Sequence, residues 1–336
     1  MLELTRPFGQ ATCTWRRFER GGGRFWAPEA EVSAFSVFRS RSSCDTVGPV
    51  PKLRFRLLNV FSESSSLSGN ALAVFEDGAG LSDAEMQALA LQFNLSETTF
   101  ILPSANATAR VRIFTPTFEM PFAGHPTLGT AHVVRALFGG GDRLTLEVPA
   151  GVIPVSARGD AWTLRANAPQ ARPAEATSTE LAQMLGVDPD EVRERPMWVD
   201  TGSEQLVVRL RDPGAVHRCR PDPLLLARHG SNGKRIGLVY VWAHENTLPD
   251  EHGDHVVARF FFLKHGAVVE DPGTGSACAN LGGWLVVTQH ELPISLSVAQ
   301  GAHTGRSCRL LLHVAADGQI FVTGNVVELG RGEITL

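Results

Sequence analysis

A chain of 336 residues, 43% hydrophobic and 20% charged, has the make-up of an ordinary globular protein, long enough for two domains and for a core without disulfide or metal staples. Its formal charge of −4 speaks against the concentrated basic surface of a nucleic-acid partner, and no apolar run approaches the roughly 18 residues of a bilayer span. Five scattered cysteines (Cys13, Cys44, Cys219, Cys278, Cys308) with no CxxC pair point neither to a disulfide framework nor to a zinc site, and fit a reducing cytoplasm. Lys52, Lys234 and Lys264 are the only lysines and Tyr240 the only tyrosine, which leaves carboxylates and histidines as the default acid/base groups.

Residues 1–51 read as an extension outside the fold. They are rich in Arg, Gly and Ser, show no sustained periodicity and lack the apolar stretch of a secretory signal, so a disordered segment is expected. Regular structure begins at Leu53 with a strand to Phe61, then a turn at Gly69-Asn70 and a second strand over 71–75. Ser82 and Glu85 form a capping box, with Leu81 and Met86 as its hydrophobic staple, for a helix whose apolar face is Met86, Leu89, Ala90 and Phe93. Strands are expected at 98–102 and 110–114. A helix started by Pro126 then runs through Leu128, Ala131, Val134 and Leu137 until Gly139-Gly-Gly141 stops it. Strands follow at 143–148, 152–157 and 161–165.

The second half echoes the first. Thr201–Val208 matches the Gly turn and strand of Ser68–Val74; short helices are expected near 178–186 and 222–229, and strands at 236–243 and 256–263. Asp271-Pro-Gly-Thr-Gly-Ser276 leads into an apolar helix through Leu281, Trp284 and Leu285, and strands near 294–299, 308–315 and 319–329 close the chain. A Gly-rich loop running into an apolar helix thus occurs once per half, at 123–138 and 273–288.

Those two loops are the first candidates for chemistry, because a helix N-terminus presents unpaired N–H groups and partial positive charge to an anion. Gly124, Gly273 and Gly275 either let a ligand approach the backbone or simply make tight turns. Glu97, between a helix and a strand, is either a half-desolvated acid/base or an exposed surface carboxylate. His125 and Asp271 sit in the two loops, Asp271 also being suited to cap its own helix, and Ser276 is a first-turn residue. The polar stretch carrying His244, His252 and His255 reads as a solvated loop rather than a metal site, and Gly305-Arg306-Ser307 as an anion contact or a turn. No dinucleotide fingerprint, Walker A loop or nucleophile elbow is present.

Taken together and in order, Ser68-Gly-Asn70, Asn94–Phe100, Arg112–Pro116, Phe122–Ala131, Glu270–Ser276 and Gln300-Gly…Gly305-Arg-Ser307 resemble the signature segments of the PhzF-like, or phenazine biosynthesis-like, family over residues 53–336. The resemblance implies an α+β, diaminopimelate-epimerase-like fold of two pseudo-symmetric domains, each a curled, mainly antiparallel sheet around a central helix. Residues 52–167, with a C-terminal strand at about 325–336, would form one domain and 168–324 the other. It carries the family's acid/base glutamate to Glu97, its histidine to His125, its aspartate to Asp271 and its serine to Ser276. Substrate-binding positions would be Gly69, Asn70, Gly124, Gly273, Thr274 and Gly275.

The implied activity is a proton shift on a small carboxylate-bearing substrate, such as a cyclic dihydroaromatic amino acid, by a homodimer without metal or cofactor. This chain departs from the usual pattern at Gly273, where Ala is common, at Met120 in place of Leu, and at Cys278-Ala-Asn280. Two other readings are an amino- or hydroxy-acid racemase or epimerase, which needs two facing thiols, and a metabolite-binding protein on the same scaffold. The first finds no cysteine in Ala123-Gly-His125.

Overall fold

The computed structural model describes residues 15–20, 23–28, 52–63, 65–193, 195–245 and 247–336. Contacts divide the chain into Met1–Pro49 and Val50–Leu336. In the first unit β1 (Trp15–Arg20) and β2 (Gly23–Pro28) pair antiparallel, Trp15 opposite Pro28 and Arg20 opposite Gly23. Aromatic residues in both segments suit a strand even without clean alternation. Apart from this hairpin, the expected disordered extension lies outside the described residues.

In the second unit the strands are β3 (Lys52–Val60), β4 (Asn70–Phe75), β5 (Glu97–Leu102), β6 (Ala109–Phe114), β7 (Glu119–Met120), β8 (Arg143–Val148), β9 (Gly151–Arg158) and β10 (Ala161–Arg165). They continue as β11 (Gln170–Pro173), β12 (Met197–Asp200), β13 (Gln205–Arg209), β14 (Leu238–His244), β15 (Asp254–Lys264), β16 (Ala267–Asp271), β17 (Ile294–Gln300), β18 (Cys308–Val314) and β19 (Ile320–Thr335). The helices are α1 (Asp83–Phe93), α2 (Gly124–Phe138), α3 (Ser178–Leu185), α4 (Pro213–Arg218), α5 (Pro223–His229) and α6 (Gly275–Val287).

Strand pairing shows the internal repeat that residue pattern only hinted at. From β3 to β9 the ladder runs antiparallel, parallel, antiparallel, parallel, antiparallel through β4, β5, β6 and β8. From β12 to β18 the same succession runs through β13, β14, β15 and β17. In each half a strand folds back antiparallel just before the central helix, β7 on β6 and β16 on β15. The second parallel crossover is then α2 in one half and α6 in the other, as parallel neighbours require a long connection. The long β19 pairs with β18, β10 and β3, and so belongs to both halves.

Apolar residues explain why the two helices are central. Ten of the residues of α2 are buried, among them Leu128, Ala131, Val133 and Val134, and α6 likewise buries Leu281, Trp284 and Leu285. A helix apolar all round must lie inside a sheet rather than on it. Both helices share one continuous core with Trp162, Trp242 and Val322, while Phe75, Phe100 and Phe114 with Met86 form a satellite under α1.

The capping box is present: Ser82 N donates to Glu85 Oε2 at 2.8 Å and Glu85 N to Ser82 Oγ at 3.3 Å. The start of α2 differs from expectation, since Pro126 is its third residue and not its first. A proline there still removes only an N–H that no intrahelical carbonyl would take, so the helix extends back over Gly124 and His125. The short or polar strands β7, β11, β12 and β16 and the helix α4 were not expected from periodicity.

At the middle of the unit lies Phe61, fully buried and held at φ 62°. A Cβ built on Gly324 of β19 would stand 2.2 Å from its ring, and one on Gly275 of α6 3.1 Å. Gly324→Ala is therefore expected to destabilise the fold by about 1–3 kcal/mol through overpacking, read as a lower urea midpoint. An unchanged midpoint would show that the ring has room to yield.

Candidate active site

Two helix starts meet at the seam between the halves. The N-cap residues are Ala123 for α2 and Thr274 for α6, and neither helix has a side chain capping its first-turn N–H groups. A Cβ on Gly124 would be 3.5 Å from Gly275 Cα and 3.6 Å from Ser276 N, so the two backbones lie within van der Waals reach of each other here. The uncapped N–H groups of Gly124, His125, Gly275 and Ser276 thus concentrate positive potential on one spot. Beside it Phe122, Leu164, Ala166, Thr201 and Gly202 complete the walls of a small cavity that Gly124, Gly275 and Ser276 also line.

Glu97 reaches this seam because α1 ends at Asn94, whose left-handed φ of 49° turns the chain into β5. β5 is fixed from both sides. Leu72 of β4 lies opposite Glu97, and Thr99 Oγ1 is 2.8 Å from Thr130 Oγ1 on α2. The Glu97 side chain keeps only 15% of its surface, and its Oε2 stands 3.1 Å from His125 Nε2 without the alignment of a hydrogen bond.

Desolvation pushes Glu97 up to about 8, Asp271 adding to the rise and Arg235 opposing it. Burial drives His125 down to about 3, against a hydrogen bond to the Ala71 backbone that works the other way. At neutral pH the pair is therefore a protonated carboxyl facing a neutral imidazole. Nε2, which has no hydrogen-bond partner, is the nitrogen turned toward Glu97.

Asp271 ends β16. Its carboxylate accepts from Thr274 Oγ1 and, at 3.0 Å, from Asn70 Nδ2. Burial still outweighs these bonds and lifts it to about 6. It does not cap α6; it engages the hydroxyl of Thr274, the N-cap residue, whose side chain makes no capping bond either. Asn70 Nδ2 also donates to Gly273 O at 3.0 Å, and its Oδ1 accepts from Ser96 Oγ at 2.9 Å, tying the turn before β4 to the loop before α6 and to the neighbour of Glu97.

The remaining expected positions divide into two groups. Gly124, Gly275 and Ser276 line the cavity. Gly69, Gly273 and Thr274 are occupied within the protein. Gly69, at φ 89°, donates to Ser307 O and accepts from Arg306 Nε, so Arg306 braces this turn. A Cβ on Gly273 would meet Cys308 Sγ at 2.7 Å, which explains why alanine does not fit here. Thr274 N is taken by Gln300 Oε1 at 3.3 Å.

Several contributors had no individual signal. Ser276 Oγ accepts from Gln205 Nε2 at 3.0 Å, and Gln205 Oε1 accepts from Asn280 Nδ2 at 2.9 Å, so the serine is oriented by an amide relay. Gln205 lies at the start of β13 as Asn70 lies at the start of β4. Arg235 and Gln300 lie in positions that only the folded chain brings here. Elsewhere His252 and His255 sit beside Glu251 and Asp250, 3.7 Å and 3.4 Å away. Among the described residues no group of three or more His, Cys, Asp or Glu is placed to share a metal ion, and no helix is long and apolar enough to cross a membrane.

Residues 58–332 match the family described as phenazine biosynthesis-like protein. The trans-2,3-dihydro-3-hydroxyanthranilate isomerase of Pseudomonas aeruginosa is 32% identical over 308 residues, covering 84% of this chain and 99% of the relative. An uncharacterized isomerase of Pasteurella multocida is 36% identical, covering 83% and 93%. A PhzF-family crystal structure from Bacillus anthracis superposes with a TM-score of 0.74 at 24% identity, over 85% of this chain and all of the other. A hydroxyproline epimerase from Agrobacterium vitis shares the fold, with a TM-score of 0.56 at 13% identity over 85% of this chain and 93% of the other. By this family match and these relatives, the chain belongs to the PhzF, or phenazine biosynthesis-like, family and is an isomerase of the α+β epimerase-like fold.

Proposed function

We propose that this isomerase moves a proton between two carbons of a small carboxylate-bearing substrate, of the cyclic dihydroaromatic amino acid class on which its named Pseudomonas relatives act. The observation that carries this reading is the environment of Glu97: a carboxyl raised to about 8, in contact range of a neutral His125, next to two uncapped helix starts. A base with that pKa is strong enough to remove a proton from carbon and weak enough to give it back.

In the ionised form Glu97 takes the proton. The electron pair left behind spreads through the substrate's conjugated system, and the N–H groups at 124, 125, 275 and 276 stabilise the charge. Glu97 then returns the proton to the second carbon, so atoms and charge balance within one molecule. His125 fixes the carboxyl's position, Asp271 holds the α6 loop, and Ser276 offers a hydroxyl oriented by Gln205. Phe122, Leu164 and Ala166 offer an apolar wall to a ring. We also place the enzyme in the cytoplasm as a homodimer, in keeping with the free, buried thiols of Cys219, Cys278 and Cys308.

Glu97→Gln is expected to lower incorporation of solvent deuterium into trans-2,3-dihydro-3-hydroxyanthranilate by about 10²-fold or more, with the fold intact by circular dichroism. Exchange at the parental rate would remove Glu97 from the role. The active form is the carboxylate, so kcat/KM should rise about tenfold per pH unit below the Glu97 value of about 8 and level off above it. A profile flat across that value would show that another group takes the proton.

A further inference from the structure

Ser276 and Asn280 stand four residues apart on α6 and so share one face of the helix. Residues 201–205 run along that face. Asn280 is fully buried and spends its whole amide on them. Its Oδ1 accepts from Thr201 N at 2.9 Å and from Thr201 Oγ1 at 2.7 Å. Its Nδ2 donates to Ser203 O at 2.8 Å and to Gln205 Oε1 at 2.9 Å. Gln205, buried as well, donates in turn from Nε2 to Ser276 Oγ at 3.0 Å.

Each of these bonds has only one possible direction. Thr201 N can only donate, so the Asn280 atom that it meets is the oxygen, and Ser203 O can only accept, so the atom that it meets is the nitrogen. Backbone groups therefore fix both ends of the Asn280 amide, and it has no freedom to turn over. Because Nδ2 can only donate, Gln205 must show it Oε1, which leaves Nε2 for the serine. Ser276 Oγ thus accepts from Gln205. Its own proton is left over, and among the described residues it meets no acceptor. Thr201 has the opposite assignment, its proton going to Asn280. Ser276 is half-buried and lines the cavity, whereas Asn280 and Gln205 stand behind the wall. A hydroxyl without such partners rotates to donate or to accept. This one is committed, and a ligand that brought a second donor to it would strand a shielded proton.

We infer that Asn280 is a positioning residue which, acting through Gln205, fixes the Ser276 hydroxyl as a hydrogen-bond donor toward the cavity. The site then selects an oxygen acceptor on the substrate at that point. This rests on the reading of the site given above and adds to it the polarity of one wall. Asn280 itself touches no reacting atom; it acts by deciding which way a hydroxyl can point.

Two measurements test this, and the first needs no ligand. Neutron diffraction from deuterium-exchanged crystals of the full-length enzyme is expected to show a deuteron of Gln205 Nε2 on Ser276 Oγ and the serine's own deuteron turned away from Gln205. A serine deuteron directed at Gln205 would overturn the inference, whatever the enzyme acts on. The second is kcat/KM for trans-2,3-dihydro-3-hydroxyanthranilate at about pH 9, above the Glu97 value of about 8. Gln205→Glu keeps the side chain's size, but its carboxylate accepts from Asn280 and captures the serine proton. Asn280→Asp keeps the bonds from Thr201 but cannot donate to Gln205, whose amide then turns over and shows Oε1 to the serine. Each is expected to lose about 10- to 100-fold, the worth of a hydrogen bond to a charged group. Introduced into Ser276→Ala, each should cost less than about threefold, because the hydroxyl they act through is already gone. Losses undiminished in that background, or parental kcat/KM in both variants, would reject the positioning role. A parental enzyme that does not turn over this acid would sink the proposed function and leave the neutron map to decide the direction of the bond.

Discussion

Everything at this site depends on two helices being able to begin within van der Waals contact of each other. Gly124 and Gly275 stand at that contact: a Cβ on the first would be 3.5 Å from the backbone of the second, and one on Gly275 would press on the Phe61 ring at 3.1 Å. A helix beginning ordinarily finds a Ser, Thr or Asp to accept from its first N–H groups, as Ser82 does for α1 and Thr177 for α3. Neither α2 nor α6 has one. Leaving these donors open sacrifices about 1 kcal/mol per missing cap, and the packing of two largely buried helices offsets it.

The same closeness sets the protonation states. A carboxyl shielded at the seam and placed near a second carboxylate is pushed upward, and an imidazole shielded beside it is pushed downward. Asp271 starts from the same burial, but hydrogen bonds from Thr274 and Asn70 pull it back to about 6, two units below Glu97. Hydrogen bonds that Glu97 lacks help to hold Asp271 below it, together with the lower ordinary value of an aspartate and the push that Asp271 itself exerts on Glu97.

Much of this was legible in the residues. The capping box, both central helices and most strands follow from periodicity and turn chemistry, because those signals are local. The family segments pointed to Glu97, His125, Asp271 and Ser276 as members of one site, and the fold brings the first three to the seam with Ser276 on the cavity wall. By spacing alone Glu97 reads as a surface residue; its burial comes from β4 on one side and α2 on the other, a tertiary fact. The two extra residues at the start of α2 escaped notice because proline is tolerated at more than one place in a first turn. Gln205 and Arg235 escaped because an amide relay and a loop arginine are defined by what they face. The repeat was ambiguous as a residue pattern and becomes clear as an order of parallel and antiparallel neighbours, since pairing outlasts side-chain identity.

The choice between a proton shift and inversion at one carbon follows from which groups can act as bases. Inversion asks for acceptors on both faces of the carbon, and in the thiol version each must ionise readily. Cys278 is fully buried and Cys308 is pressed against Gly273, and burial pushes both thiols far up. Neither is an effective base at neutral pH. A single carboxyl that both removes and returns the proton must reach the two carbons from one side. They must then lie close together and share the conjugation through which the charge moves. That restricts the substrate to a compact unsaturated acid more narrowly than the shape of the cavity does, and it allows one fold to support epimerases and isomerases by changing which side chains stand at the helix starts.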